Sequence, residues 1–498
     1  MIEIPFVGQS YNMDLLDISA QRCVNLYPEV YDDGKTKVVG SLRSTHGLLL
    51  GVAMAGNNPM RGLYLASTGA FFGVRGSFVS SFDTSMTESA LFNISTGTTV
   101  SDSTIVRFAD TKVSTTTSNV TADDVNMLIA DGSTDAYVWN ITQSTATRIT
   151  DTAYPGGSFV AELDGFFIVN KPGTLFAYYS ALDDPFDWST LRTITKEGRT
   201  DNITALIVHN GSLWLMGSLS YEVHRNTKNS NNQFLRVEGT DHDIGIAAPN
   251  SLAEDGSNVY WLAGNAAGHG KIYQSRGFDA VPISTTPIER SIHAYSTISD
   301  AEGFCFQQDG HQFYQLNFPT EGKTWEFDAT TSRLMGSPQW HEKEYRNPAT
   351  STDESHRGRV HGFYNGKNWM GDKNNGNIYE VDQDTYTDNG DAIIRNRTSP
   401  THWSARDRVF YPRFELDVAR GVANATGQGS DPKQMLEISN DAGHTFGNKY
   451  QMDVGKIGHY DTRVRRELCG YARERVWRAT YSEPTAYAIM GAFTEGAQ

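Results

Sequence analysis

Residues 164–168, Asp-Gly-Phe-Phe-Ile, and residues 210–215, Asn-Gly-Ser-Leu-Trp-Leu, decide the fold. Each places a turn built on glycine in front of a short aromatic run, a strong short-range signature of a β-hairpin. The pattern recurs along the chain. Gly69 precedes Phe71-Phe72, Gly132 precedes Tyr137-Val138-Trp139, Gly165 precedes Phe166-Phe167-Ile168, and Gly211 precedes Leu213-Trp214-Leu215. Gly256 then precedes Val259-Tyr260-Trp261, Gly310 precedes Phe313-Tyr314, and Gly366 precedes Trp369. From Gly165 onward these glycines lie 46, 45, 54 and 56 residues apart, close to the roughly 40–50 residues of a four-stranded propeller blade. Hairpins this short cannot each bury a face alone. Stacked radially, each covers its neighbour, and ring closure leaves only short, protected edges. The expected fold is all-β, with a β-propeller of six to eight blades over residues 61–394. A pair of β-sandwiches is the competing arrangement, because aromatics after a turn are core residues in either.

Outside this repeat the pattern changes. Residues 82–124 are rich in Ser and Thr, as in Ser95-Thr96-Gly97-Thr98-Thr99, and help to separate Gly69 from Gly132 by 63 residues. This predicts a projecting insertion, with an enlarged first blade as the alternative. After Arg395, Phe414-Glu415-Leu416-Asp417-Val418 alternates as a half-buried strand and Asn440-Asp441-Ala442-Gly443 marks a turn. Residues 1–60 and 395–498 are therefore expected to form a β-rich platform beside the propeller. Near its end stand Arg463, Arg465, Arg466, Arg473, Arg475 and Arg478, interspersed with Val464, Val476 and Trp477. On strands, that alternation predicts a guanidinium-lined docking face or simply a solvated one.

The formal net charge of −16 argues against a sequence-reading nucleic-acid binder, since phosphate affinity comes from clustered Lys and Arg. From Thr401 onward 13 Lys or Arg face 12 Asp or Glu, leaving −17 on residues 1–400. Cys23, Cys305 and Cys469 are far apart and lack C-x-x-C spacing, so reduced thiols are expected rather than disulfides or zinc. The opening Met-Ile-Glu-Ile-Pro-Phe has no signal-peptide pattern, and no apolar run approaches a membrane span. The expectation is a soluble chain made in the cytosol, with no membrane anchor.

Enzyme motifs fail on their particulars. Gly264–Lys271 has the outline of a phosphate loop, but Asn265 stands where its first glycine belongs and Ile272 where a hydroxyl belongs. Asp382, Asp384, Asp388 and Asp391 surround Asn389-Gly390, but Tyr386 and Ile393 break the calcium-loop pattern, so an Asp/Asn-rich turn is expected. No HExxH pair or G-x-S-x-G elbow is present. No catalytic, cofactor-binding or metal residue is assigned, and a non-enzyme is expected. Paired carboxylates of a propeller glycosidase stay open, because their spacing is defined only in space.

Short motifs spread over nearly the whole chain carry a resemblance. They begin with Arg22-Cys23-Val24-Asn25-Leu26-Tyr27-Pro28-Glu29, Leu42-Arg43-Ser44-Thr45-His46-Gly47-Leu48 and Arg61-Gly62-Leu63-Tyr64. The middle adds Leu213-Trp214-Leu215-Met216-Gly217, Gly245-Ile246-Ala247-Ala248-Pro249-Asn250-Ser251 and Lys323-Thr324-Trp325-Glu326-Phe327-Asp328. The C-terminal part adds Ser439-Asn440-Asp441-Ala442-Gly443-His444, Gly455-Lys456-Ile457-Gly458-His459-Tyr460 and Arg475-Val476-Trp477-Arg478. In this order the chain resembles the packaged-DNA stabilisation, or tail hub (nozzle), proteins of short-tailed bacteriophages. His46 departs from that pattern, where a proline is expected before the glycine, and puts the turn there in question.

The resemblance implies a structural virion protein without catalytic residues. It implies a ring, a homohexamer, below the portal and head-to-tail adaptor, carrying the distal fibre, spike or needle proteins and passing double-stranded DNA without reading its sequence. Viral genome packaging and ejection would be its setting, and the virion tail its location. The alternative is a host-surface carbohydrate-binding propeller, an adhesin.

Overall fold

The computed structural model describes every residue except 1, 32–37, 55, 57, 94–103, 266–267, 405–406 and 498. Each hairpin read from the sequence falls in its own sheet. Blade 1 comprises Met60–Leu65, Phe71–Arg75, Phe78–Phe82 and Glu88–Asn93, and blade 2 Arg107–Lys112, Val125–Ala130, Tyr137–Asn140 and Thr145–Arg148. Blade 3 comprises Val160–Leu163, Phe166–Asn170, Phe176–Tyr179 and Thr193–Thr195, and blade 4 Ile203–His209, Ser212–Gly217, Tyr221–Asn226 and Phe234–Arg236. In blade 5 the first strand is split into Gly245–Ile246 and Ala253–Glu254 around the turn Pro249–Ser251. Val259–Asn265, Gly268–Arg276 and Asp279–Pro282 complete it. Blade 6 runs Glu302–Gln308, His311–Phe318, Lys323–Asp328 and Trp340–Glu342.

Those six blades are each drawn from consecutive chain. A seventh sheet, Gly358–Tyr364, Lys367–Asp372 and Ile378–Asp382, takes its fourth strand, Gly47–Val52, from the N-terminal part. That strand lies so close that a Cβ on Gly51 would meet the Trp369 ring at 2.2 Å. Only glycine lets it in.

The turns explain why the repeat was readable. Leu163 pairs with Phe166, His209 with Ser212, Gln308 with His311, and Tyr364 with Lys367. At Asn210-Gly211 both turn residues have positive φ, 49° and 68°, the conformation whose twist matches antiparallel strands. The aromatics after the turns do what radial stacking requires. Phe72 and Trp139 share a core between blades 1 and 2, Val138 and Phe167 one between blades 2 and 3, and Trp214 and Trp261 one between blades 4 and 5. Burying each such side chain contributes roughly 1.5–3 kcal/mol.

The N- and C-terminal parts together form a β-sandwich. One sheet orders Val464–Glu467, Val409–Val418, Ala488–Ala497, Gly40–Ser44 and Leu26–Val30, with Ile2–Ile4 also on Ala488–Ala497. The other runs from Cys23–Val24 through Arg395–Thr398, Glu474–Tyr481 and Lys433–Ser439 to Tyr450–Asp453. Phe6, Leu26, Leu42, Phe414, Trp477 and Ile489 fill the space between. Val24 also pairs in parallel with Glu342 of blade 6, so one sheet continues from propeller into sandwich.

The Ser/Thr-rich stretch differs from the projecting insertion expected for residues 82–124. Its described parts include the outer strand of blade 1, Glu88–Asn93, and the inner strand of blade 2, Arg107–Lys112. Ser95-Thr96-Gly97-Thr98-Thr99 lies outside the described residues.

Candidate functional site

The first strand of each blade lines the propeller axis, so side chains alternating inward from these strands meet there. Two chambers of about 90 and 360 Å³ lie along it. Arg107 lines both, with its guanidinium over the Phe159 ring at 4.9 Å and Nη2 donating to Asn250 Oδ1 at 3.3 Å. It thus reaches from blade 2 to blades 3 and 5. Glu302 is gripped on both oxygens by Arg359, whose nitrogens stand 2.6–3.1 Å away. In the larger chamber Asp110 accepts from Tyr64 Oη and Ser67, Glu162 from the Gly165 amide at 2.6 Å, and Glu254 faces His209 at 2.8 Å. Burial raises the Glu162 carboxyl above its ordinary range. These carboxylates all have hydrogen-bond partners within the fold, which is the pattern of structural acids.

A groove of about 530 Å³ opens between blade 6 and the seventh sheet, lined in part by Asn317, Glu354, His356, Arg359 and Lys373. Lys373 Nζ donates to Ser355 O and Oγ, both at 2.7 Å, and lies 3.6 Å from Glu354. Burial pushes His356 well below its usual value. Its charges are mutually compensated.

The seam between propeller and sandwich is built by the motif Arg22 to Glu29. Arg22 Nη2 contacts Glu342 at 2.7 Å and Glu344 at 2.6 Å. Asn25, buried and at φ 53°, donates through Nδ2 to Glu344 O and Ile394 O, and accepts from the Glu344 amide on Oδ1. Tyr27 is ringed by His46, His311, Phe313 and His341. His46, the departure from the family pattern, pairs with Asp309 at 2.7 Å and so pins the N-terminal part to the blade 6 hairpin. Beneath it, burial would raise Glu326, but Lys343 and His341 overcome that and hold its carboxyl down at about 2.

The C-terminal arginines do not form the single face that their alternation suggested. Arg475 is fully buried, between Tyr411 at 4.4 Å and Trp477 at 4.9 Å. Arg478 pairs with Glu437, Arg463 with Glu415 and Arg465 with Glu467, while Arg466 lies over Tyr450. Arg465 and Arg466 lie on Val464–Glu467, Arg475 and Arg478 on Glu474–Tyr481, and Arg463 just before the first of these, so they serve mostly to staple the sandwich. The buried Arg395 and Arg397, which the sequence reading passed over, do more. Arg397 donates to Phe6 O at 2.7 Å, Gln9 O at 3.0 Å and Gln21 Oε1 at 3.2 Å, tying the N-terminal segment to the sandwich.

Gly264–Lys271 spans a hairpin of blade 5, with 266–267 outside the described residues, and has no helix N-terminus to receive phosphate. Asp382 and Asp391 accept from Thr385 and Tyr345. Asp388 is buried beside Leu48, which raises its carboxyl to about 6. Among the described residues no group of three or more His, Cys, Asp and Glu side chains is placed to hold a metal ion. The three cysteines are free.

Two family profiles match the chain: bacteriophage P22 Gp10, beta-propeller, over residues 2–386, and bacteriophage P22 Gp10, beta-sandwich, over residues 397–496. No curated protein is detectably similar. Among solved structures, the extracellular domain of the hybrid two-component system BT4673 from B. thetaiotaomicron superposes with TM-score 0.42 at 11% identity, covering 78% of this chain and 45% of that one. The chain thus spans less than half of that domain's length. The mitotic checkpoint complex gives TM-score 0.40 at 8% identity, covering 68% of this chain and 95% of that one.

Proposed function

Since the chain belongs to the P22 Gp10 family, the packaged-DNA stabilisation or tail hub proteins of short-tailed phages, we propose that it forms the tail's nozzle ring. In this reading copies of the chain, six by the family resemblance, close beneath the portal and its adaptor, retain packaged DNA and conduct it during ejection. The observation that carries the reading is the match of both profiles, in order and without overlap, over almost the whole chain. Physical features support it. The net charge of −16 suits a conduit that must let phosphate slide past, whereas a basic lumen would grip it with steep salt dependence. Axial chambers of about 90 and 360 Å³ are far too small for a duplex, so the channel would be enclosed by copies around it, not by the propeller itself. The sheet shared by propeller and sandwich would let a ring of such units bear load as one piece.

The test is cryo-electron microscopy of particles assembled without this chain and then mixed with it. A closed ring beneath the portal, with DNA leakage stopped, supports the nozzle. A monomer that ignores the particles but adheres to host cells would replace it with the adhesin.

A further inference from the structure

Arg107 is the one Lys or Arg in the described wall of the larger axial chamber. Its recorded polar partner is Asn250, at a long 3.3 Å, and its Nε, shut off from solvent, meets no acceptor. The nearby Glu302 is occupied by Arg359. The carboxylates of the chamber wall are likewise engaged: Asp110 by Tyr64 and Ser67, Glu162 by the Gly165 amide, Glu254 by His209. Arg107 is partly buried and feels the charge of Glu302 without a direct contact to it, and a cation drawn partly out of water attracts anions more strongly than a fully solvated one. Burial lowers the Arg107 guanidinium to about 10, which leaves it charged at neutral pH.

We propose that this chamber binds a small carboxylate with an apolar body, its carboxylate accepting from Arg107 and its body lying against Phe159 and Leu252. The planar guanidinium fork matches a carboxylate. Asp110, Glu162 and Glu254 in the same wall repel any anion, but a phosphate, with its higher charge, more strongly than a singly charged carboxylate. Phe108, Phe159, Leu206, Val208 and Leu252 supply the apolar surface, and about 360 Å³ holds a ligand of one ring or short chain. Such a ligand would join blades 2, 3 and 5 across the axis and stabilise the ring of blades by mass action. The inference stands on the chamber alone and does not depend on the nozzle reading.

The experiment is calorimetric titration of the full chain with benzoate and with benzamide, its neutral isostere. Benzoate is expected to bind at least about tenfold more tightly than benzamide and to raise the melting temperature. Arg107→Gln is expected to lose at least about tenfold in benzoate affinity while Arg107→Lys keeps part of it. Equal affinity for the two probes, no binding of either, or undiminished benzoate binding by a folded Arg107→Gln overturns the proposal. If Arg107→Gln does not fold, the benzoate-to-benzamide ratio in the unaltered chain and a crystal structure of the benzoate complex decide, with a carboxylate placed away from Arg107 counting against it.

Discussion

In blade 4 the four strands follow one another from Ile203 to Arg236, and Trp214 stacks on Tyr221 of the next strand at 5.3 Å. In the sandwich, Trp477 stacks on Phe414 at 4.4 Å, and the strand Ala488–Ala497 pairs with Ile2–Ile4 at the opposite end of the chain. Both cores are dense and aromatic. The blade is assembled from local hairpins, each announced by its turn, whereas the sandwich exists only once distant segments have met. Polar groups follow the same division. Blade hairpins are closed by backbone turns, while the sandwich is stitched by buried side chains such as Arg397 that satisfy carbonyls far away in sequence. A local unit needs good turns, and a non-local one needs specific fasteners.

Mutations can break or sharpen that contrast. Trp477→Ala removes the centre of the sandwich core and is expected to cost about 4 kcal/mol, read as a lowered denaturation midpoint with the propeller transition little changed. If the propeller melts equally early, the two units are not separable. Asn25→Ala strips the seam of three hydrogen bonds and places alanine at φ 53°. Its expected cost is about 3 kcal/mol, and scanning calorimetry should then show the sandwich and propeller transitions drawn further apart than in the parent. An unshifted single transition would show that sandwich and propeller are coupled without Asn25.

Asp388 offers a test by pH. Its folded carboxyl, raised by burial to about 6, binds its proton more tightly than in the unfolded chain. The stability it contributes is therefore full below the ordinary carboxylate range and is lost as pH rises through about 6. Asp388→Asn should gain roughly 2 kcal/mol at pH 8 relative to the parent and little at pH 4; equal effects at both would refute the burial argument. The smallest expected change is local. Gly211→Ala at φ 68°, with open space around it, should cost about 1 kcal/mol of turn strain alone, measured by urea denaturation. A larger loss would mean that the hairpin is not self-contained.

The same contrast explains what could be read from residues alone. Asp-Gly and Asn-Gly turns followed by aromatics fix blades within their own few dozen residues, so the propeller was legible at Gly165, Gly211, Gly310 and Gly366. The strand Glu88–Asn93 was hidden because Ser and Thr around it carry no hydrophobic alternation. The arginine face failed for a different reason. Alternation along Arg473–Arg478 correctly marks strand, but which side is wet depends on a partner sheet containing Phe414 and Tyr411, and that pairing has no local sign. Arg107, Arg395 and Arg397 were missed likewise. A lone arginine between strand residues looks solvent-facing until the axis or the sandwich closes over it.

The borrowed strand of the seventh sheet has a consequence in time. Gly47–Val52 leaves the ribosome before the first blade, but its partner Ile378–Asp382 emerges about 330 residues later, at ~5–20 residues per second some 16–65 s afterwards. Through that interval an apolar strand edge with Leu48, Leu49 and Leu50 has no mate. The ring therefore cannot lock as it is made; its clasp is forged first and fastened last, and the nascent chain must be kept from sticking to others until Ile378–Asp382 has been made.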